Sequence, residues 1–138
     1  MKKIFLFCAI LLTAYSSLYA QAKPYNAVFD ITTDDTLVHQ RVIRWVNSIS
    51  KEYPNAKLEV VFYGKSLPMV EKGKSSVAAD VQKLAANNKV AFVVCEQAMK
   101  VHKVDKAMLL DGVRTVPDAL YELVTKQAEG YGYIKVTN

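Results

Sequence analysis

Short apolar runs alternate with helix-patterned segments along the chain, and this alternation limits the possible folds more than any single motif does. YNAVFDI (Tyr25–Ile31), KLEVVFY (Lys57–Tyr63), VAFVV (Val90–Val94), VRTV (Val113–Val116) and YGYIKV (Tyr131–Val136) have the length and residue types of strands. Between the first two, Leu37 to Tyr53 places Val38, Val42, Trp45 and Ile49 at spacings of four, three and four, one apolar stripe of a helix. Pro54-Asn55 ends that helix. Ser66 to Lys74 is ambiguous between a short helix and a loop. Ser75 or Ser76 is placed to cap a helix running to about Ala86, with Val77, Val81 and Leu84 inward and Asn87-Asn88 as its stop. Glu96 to about Lys103 is a short helix. Pro117 at a first helical position, followed by Asp118, opens a last helix to Glu129, and Gly130 caps it.

The resulting order, βαβαβαβαβ with short connections, predicts a three-layer α/β/α sandwich on a mostly parallel five-stranded sheet. The second and third strands are nearly continuous apolar runs, as expected of strands covered on both faces. No repeat, low-complexity tract or linker divides the chain.

The first twenty residues read differently. Lys2 and Lys3 precede an eleven-residue apolar run, Ile4 to Ala14, and SLYAQA offers small-residue cleavage sites after Ala20 or Ala22. That is the pattern of a secretory signal, and the run is too short to span a bilayer. Residues 1–20 are expected to leave, with a single domain over 21–138, an exported, periplasmic location, and no stable membrane insertion after cleavage. The formal charge of +5 loses two with Lys2 and Lys3, leaving +3 on the mature part. Its lysines interleave with acids, and no basic stripe tracks a nucleic-acid backbone, so a nucleic-acid partner is not expected.

Cys8 sits inside the signal-like run, which leaves Cys95 as the only cysteine of the mature chain. Exported proteins usually pair their cysteines, so this thiol is either inert and buried or reactive and used. In parallel α/β sheets the functional edge lies beyond the carboxyl ends of the strands. Here those ends are Thr32-Thr33-Asp34, Tyr63-Gly64-Lys65, Cys95-Glu96 and Thr115-Val116-Pro117. Cys95 also begins a helix, whose free amides favour a thiolate. Glu96 opposes that charge, and Lys65 is placed to offset it.

Other chemistries lack their residues. Gly64-Lys65-Ser66 resembles the end of a phosphate-binding loop, but Glu59 stands where its first glycine belongs. ITTDDT (Ile31–Thr36) has two carboxylates and no glycine where a flavin phosphate would lie, and fits a helix N-cap better. His102 lies seven residues past Cys95, about 10 Å along a helix and too far for a Cys–His pair. His39 reads as a surface or boundary residue. One cysteine and two scattered histidines give no metal-ligand spacing, no cofactor motif is present, and the absence of CxxC excludes a self-contained dithiol oxidoreductase. Lys65, Lys72 and Lys74 flank a stretch that either attracts a small anion or is a solvated loop.

Residues 90–136, VAFVVCEQAMKVHKVDKAMLLDGVRTVPDALYELVTKQAEGYGYIKV, together with VFDITTDD and VVFYGKSL, resemble the DsrE/DsrF-like family of small α/β proteins linked to sulfur metabolism. The shared pattern is a hydrophobic strand ending in Cys, a short helix with Met, LLxGVxxVP, and a helix closing with EGYGYIKV. The resemblance implies an α/β/α sandwich that forms homo-oligomers or hetero-hexamers. It also implies a sulfur carrier holding a persulfide on Cys95, with donor and acceptor undefined. On that reading Val94, Met99 and Tyr63 wall the sulfur, and the amides of Glu96 and Gln97 stabilise its charge. Two alternatives stand beside it: a non-catalytic binding or assembly module with a structural cysteine, and a thiol-based peroxide sensor. Tyr131 and Tyr133, on one side of an edge strand, either serve self-association or pack on their own last helix.

Overall fold

The computed structural model describes residues 24–86 and 90–137. The signal-like segment and the Asn87-Asn88 stop lie outside the described residues. Five strands form one sheet: β1 (Asn26–Ile31), β2 (Lys57–Phe62), β3 (Val90–Cys95), β4 (Arg114–Val116) and β5 (Gly132–Lys135). Their spatial order is β4-β3-β2-β1-β5, and all four pairings are parallel. The helices are α1 (Thr36–Glu52), α2 (Ala78–Ala85), α3 (Glu96–His102) and α4 (Ala119–Ala128). Short 3-10 turns at Leu67–Val70 and Lys106–Met108 complete the elements, the first lying inside the ambiguous stretch. None of the helices is long and apolar enough to cross a membrane among the described residues.

The chain order decides how the layers fill. From β1 to β4 each step moves the same way across the sheet, so right-handed crossovers put α1, α2 and α3 on one face. The return from β4 to β5 runs the other way and puts α4 alone on the opposite face. The register shows what each face is made of. The three-helix face carries Phe29, Ile31, Leu58, Val60, Phe62, Val90, Phe92, Val94 and Ile134, apolar apart from Thr115 on β4. The rings of Phe62 and Phe92 stack there at 6.2 Å. The α4 face carries Val28, Asp30, Glu59, Val61, Val93, Arg114, Tyr133 and Lys135, with Cys95 at its upper edge.

The local rules set most of the helix ends. Asp35, not Asp34, caps α1, its carboxylate accepting from the Leu37 amide at 2.8 Å. Asp118 caps α4, accepting from the amides of Leu120 at 2.7 Å and Tyr121 at 3.2 Å. Pro117 therefore precedes the cap and is not the first helical residue, because the carboxylate beside it captures the first free amides. Gly130, at φ +89°, ends α4 as expected, its amide and that of Tyr131 returning to Gln127 and Lys126. The serines before α2 do not cap it directly; Ser75 Oγ accepts from the Val77 amide and the helix opens one residue later.

Two expectations about α1 are corrected. Its inward side is Val38, His39, Val42, Ile43 and Val46, while Trp45 turns out beneath the Arg41 guanidinium, 5.4 Å from its ring centre. His39 is buried at 1% exposure, its Nε2 hydrogen-bonded to the Thr33 carbonyl oxygen at 2.9 Å. Helix α1 overhangs the short edge strand β5, so Trp45 covers an open apolar hollow with Tyr25, Phe29 and Ile134 and does not enter the core.

Candidate functional site

Cys95 ends β3 and stands at the N-cap of α3, with φ −69° and ψ 121°. It is a free thiol, 6% exposed, and it makes no side-chain cap bond. Strand pairing with Val116 holds its backbone, and the turn into α3 fixes which way it faces. It lines an open groove of about 270 Å³ with Tyr63, Gly64, Gln97, Ala98, Val101, Asp118, Ala119 and Leu120. The walls come from the end of β2, from α3 and from the start of α4. The groove thus opens over the carboxyl ends of the strands on the α4 face, where the layout places a functional edge.

The expected site residues divide around this groove. Tyr63 and Gly64 join Cys95 in it. Gly64 is bound there by geometry: its φ is +60°, and a Cβ would stand 3.3 Å from the Thr32 carbonyl oxygen. Thr32 supports that turn, its carbonyl oxygen accepting from the Lys65 amide at 2.9 Å. Thr33 serves the start of α1, its hydroxyl accepting from the Asp35 amide. Asp34 and Lys65 line a neighbouring polar cleft of about 170 Å³ with Glu71, Lys74 and His102, which meets the groove at Gly64. Lys72, by contrast, pairs with Asp111 at 3.1 Å away from both.

Glu96 and Met99 lie elsewhere. They line a larger hollow of about 490 Å³ with Lys100, Lys103 and Lys106, which Cys95 does not enter. Met99 is therefore not a wall of the Cys95 groove. Val94 is not a wall either; it points to the three-helix face and is fully buried. The Glu96 carboxylate accepts from Thr115 Oγ1 at 2.8 Å and pairs with Lys106 at 2.9 Å. Those contacts, Lys106 first and Thr115 second, hold its carboxyl below the usual range. Its charge is thus engaged away from the groove. Pro117 stands outside the groove, next to the Asp118 cap.

A polar cluster beside the groove was not legible as a site. Asp30 is 3% exposed and accepts from Lys135 Nζ at 3.0 Å and from the Tyr133 hydroxyl. Tyr63 stands against the same carboxylate, and Lys135 Nζ lies 5.7 Å from its ring centre. Burial first, then the Asp30 charge and hydrogen bond, push the Tyr63 phenol up. Donation to Asp30 pushes Tyr133 up to about 12. Tyr63 is therefore a neutral, anchored ring with a polar back, not a plain apolar wall. The one signal available was a lone Asp in an otherwise apolar strand.

A second buried carboxylate lies further down the same face. Glu59 Oε2 is 3.7 Å from Arg114 and 3.8 Å from Lys126, while Oε1 is buried without a partner. Burial first, then the adjacent Glu122 carboxyl, raise its pKa to about 7 against the pull of Lys126 and Arg114. Among the described residues no three His, Cys, Asp or Glu side chains come together to hold a metal.

The parallel α/β fold agrees with comparison to known proteins. The model of the DsrE/DsrF-like family matches residues 26–136, and the chain belongs to that family. Among solved structures it is similar to MTH1491 of Methanobacterium thermoautotrophicum, described as a protein of unknown function. The identity is 28%, the TM-score 0.75, and the match covers 80% of this chain and 98% of that one. It shares its fold with the YchN protein of E. coli at 12% identity and a TM-score of 0.65, covering 80% of this chain and 96% of that one. No curated protein matches the chain.

Proposed function

We propose that this protein is an exported sulfur carrier that holds a persulfide on Cys95 and passes the outer sulfur to a partner. The observation that carries the reading is the free Cys95 thiol lining an open, mostly apolar groove at the carboxyl edge of the sheet. This is the position that the family resemblance assigns to the sulfur-bearing cysteine. The signal-like N-terminal sequence supports export.

The chemistry needs little else. The Cys95 thiolate attacks the outer sulfur of thiosulfate; a sulfur–sulfur bond forms to Cys95, the donor's bond breaks, and sulfite leaves with the electron pair. An acceptor thiolate then attacks the outer sulfur of Cys95–S–S⁻ and restores the Cys95 thiolate. Both steps are exchanges between thiolates and sulfane sulfur, with no external oxidant. The Tyr63 ring, Ala98, Val101 and Leu120 shield the persulfide from water, and the groove mouth admits an extended thiol. Exposed Val101 and Leu120 line that mouth, and exposed Tyr121 and Val124 follow on α4; this surface is our candidate for assembly into a homo-oligomer. Light scattering on the mature protein tests the assembly: a clean monomer would remove it.

One observation favours a second reading. Cys95 is only 6% exposed, as a structural cysteine in a binding module would be. Alkylation of the folded protein separates the two. A Cys95 that reacts in the native state supports the carrier, and one that reacts only on unfolding supports the binding module.

A further inference from the structure

Glu59 plays no part in the proposed sulfur chemistry, yet it sits under α4, one of the two helices that wall the Cys95 groove. Helix α4 gives Ala119 and Leu120 to the groove at its start, and Glu122 and Lys126 to Glu59 further along. The surroundings of Glu59 are complete enough to read. On the sheet its neighbours in register are the apolar Val28 and Ala91. Arg114 of β4 approaches Oε2 at 3.7 Å and Lys126 of α4 at 3.8 Å, both beyond hydrogen-bond length. Lys126 is drawn more strongly to Glu129, at 2.9 Å, and also approaches Glu122 at 3.8 Å. Tyr131, beyond α4, is the remaining titratable neighbour.

A buried carboxylate oxygen without a donor is costly, and a second carboxyl next to it makes the site worse when both are charged. One shared proton removes both penalties, since the protonated carboxyl donates to its neighbour. We propose that the Glu59–Glu122 carboxyl pair is a proton-dependent latch that seats α4 on the sheet and so closes the wall of the Cys95 groove. With the proton shared, α4 is held. Once it is lost, the Glu59 and Glu122 carboxylates face each other under α4, Lys126 is divided among these two and Glu129, and the helix loosens. The raised pKa of Glu59, about 7, puts the change in the range an exported protein meets. The latch does not require that Cys95 carry sulfur, only that α4 walls its groove.

Hydrogen exchange of the α4 amides in the mature protein tests this, with rates corrected for the intrinsic effect of pH. Between pH 5.5 and 8 the corrected exchange of α4 should accelerate by up to about thirtyfold, about tenfold for each pH unit between 5.5 and the folded-state value of about 7. The amides of α1 should accelerate less than those of α4, and Glu59→Gln should abolish the step. Should Glu59→Gln fail to fold, Glu122→Gln carries the same reading. Flat protection of α4 across this range, or a step that persists in the folded variants, would overturn the latch.

Discussion

The two faces of the sheet are built on different principles. The face under α1, α2 and α3 is close-packed hydrocarbon: Phe29, Phe62, Phe92, Val60 and Val94 have essentially no exposure. The face under α4 buries Asp30 and Glu59 among valines and brings Cys95 to its rim. A fold needs only one face of the first kind to pay for the entropy of ordering the chain. The second face can then hold groups that destabilise but react or titrate. Close apolar packing and buried polar groups are thus separated across a single layer of strands, and mutations on the two sides should have different signatures.

The largest effect belongs to the three-helix face. Phe92→Ala should cost about 3–5 kcal/mol, because it opens a cavity against Phe62 that the surrounding strands cannot close. Denaturant unfolding monitored by circular dichroism measures it, and a cost near 1 kcal/mol would mean that this face is loosely packed. On the other face, Asp30→Ala leaves Lys135 and Tyr133 without their acceptor, and a loss of about 1–3 kcal/mol is expected. The same substitution should lower the phenol pKa of Tyr133 from about 12 toward its ordinary value, which ultraviolet titration reads. An unchanged phenol would break the proposed contact.

The pH dependence of stability should come from the α4 face as well. The folded-state pKa of Glu59, about 7, lies above its ordinary 4.5, so the folded protein binds the extra proton between those values. Its contribution to stability is full below pH 4.5 and is lost as pH rises through about 7. Melting temperatures of the native protein should fall across that window relative to Glu59→Gln. Parallel curves would mean that Glu59 is not the titrating group. The smallest effect is at the groove wall: Asp118→Ala removes the α4 cap and should cost about 1 kcal/mol. It should also speed Cys95 alkylation, since Asp118 and Leu120 stand in that wall.

The sequence made the layering legible because each strand and helix announces itself locally. Five apolar runs and four helix patterns separated by turn residues leave few arrangements other than a parallel α/β sheet, and the strand ends then collect at one edge. Cys95, Tyr63 and Gly64 meet there for that reason alone. Side-chain direction was less accessible. Met99 and Glu96 turn into another hollow, Val94 points through the sheet, and Pro117 yields the helix start to Asp118, all within a few residues of the groove. Asp30 and Glu59 depend on which strand lies beside which: Asp30 meets Tyr133 and Lys135 only because β5 pairs with β1 across 105 residues of chain. The partner of His39 is local by contrast, since the Thr33 carbonyl oxygen meets its ring only once the β1 end has turned into α1.

The central claim is that the thiol on the chemically open face accepts sulfur. Its most direct test is the intact mass of the mature, reduced protein after exposure to thiosulfate or polysulfide, beside the Cys95→Ser variant. The account predicts a gain of one or more sulfur atoms of about 32 Da each on the native protein, reversed by a thiol reductant, and no gain on Cys95→Ser, which should fold normally because serine is close to cysteine in size. No gain on the native protein from either donor, or an equal gain on both proteins, would contradict it.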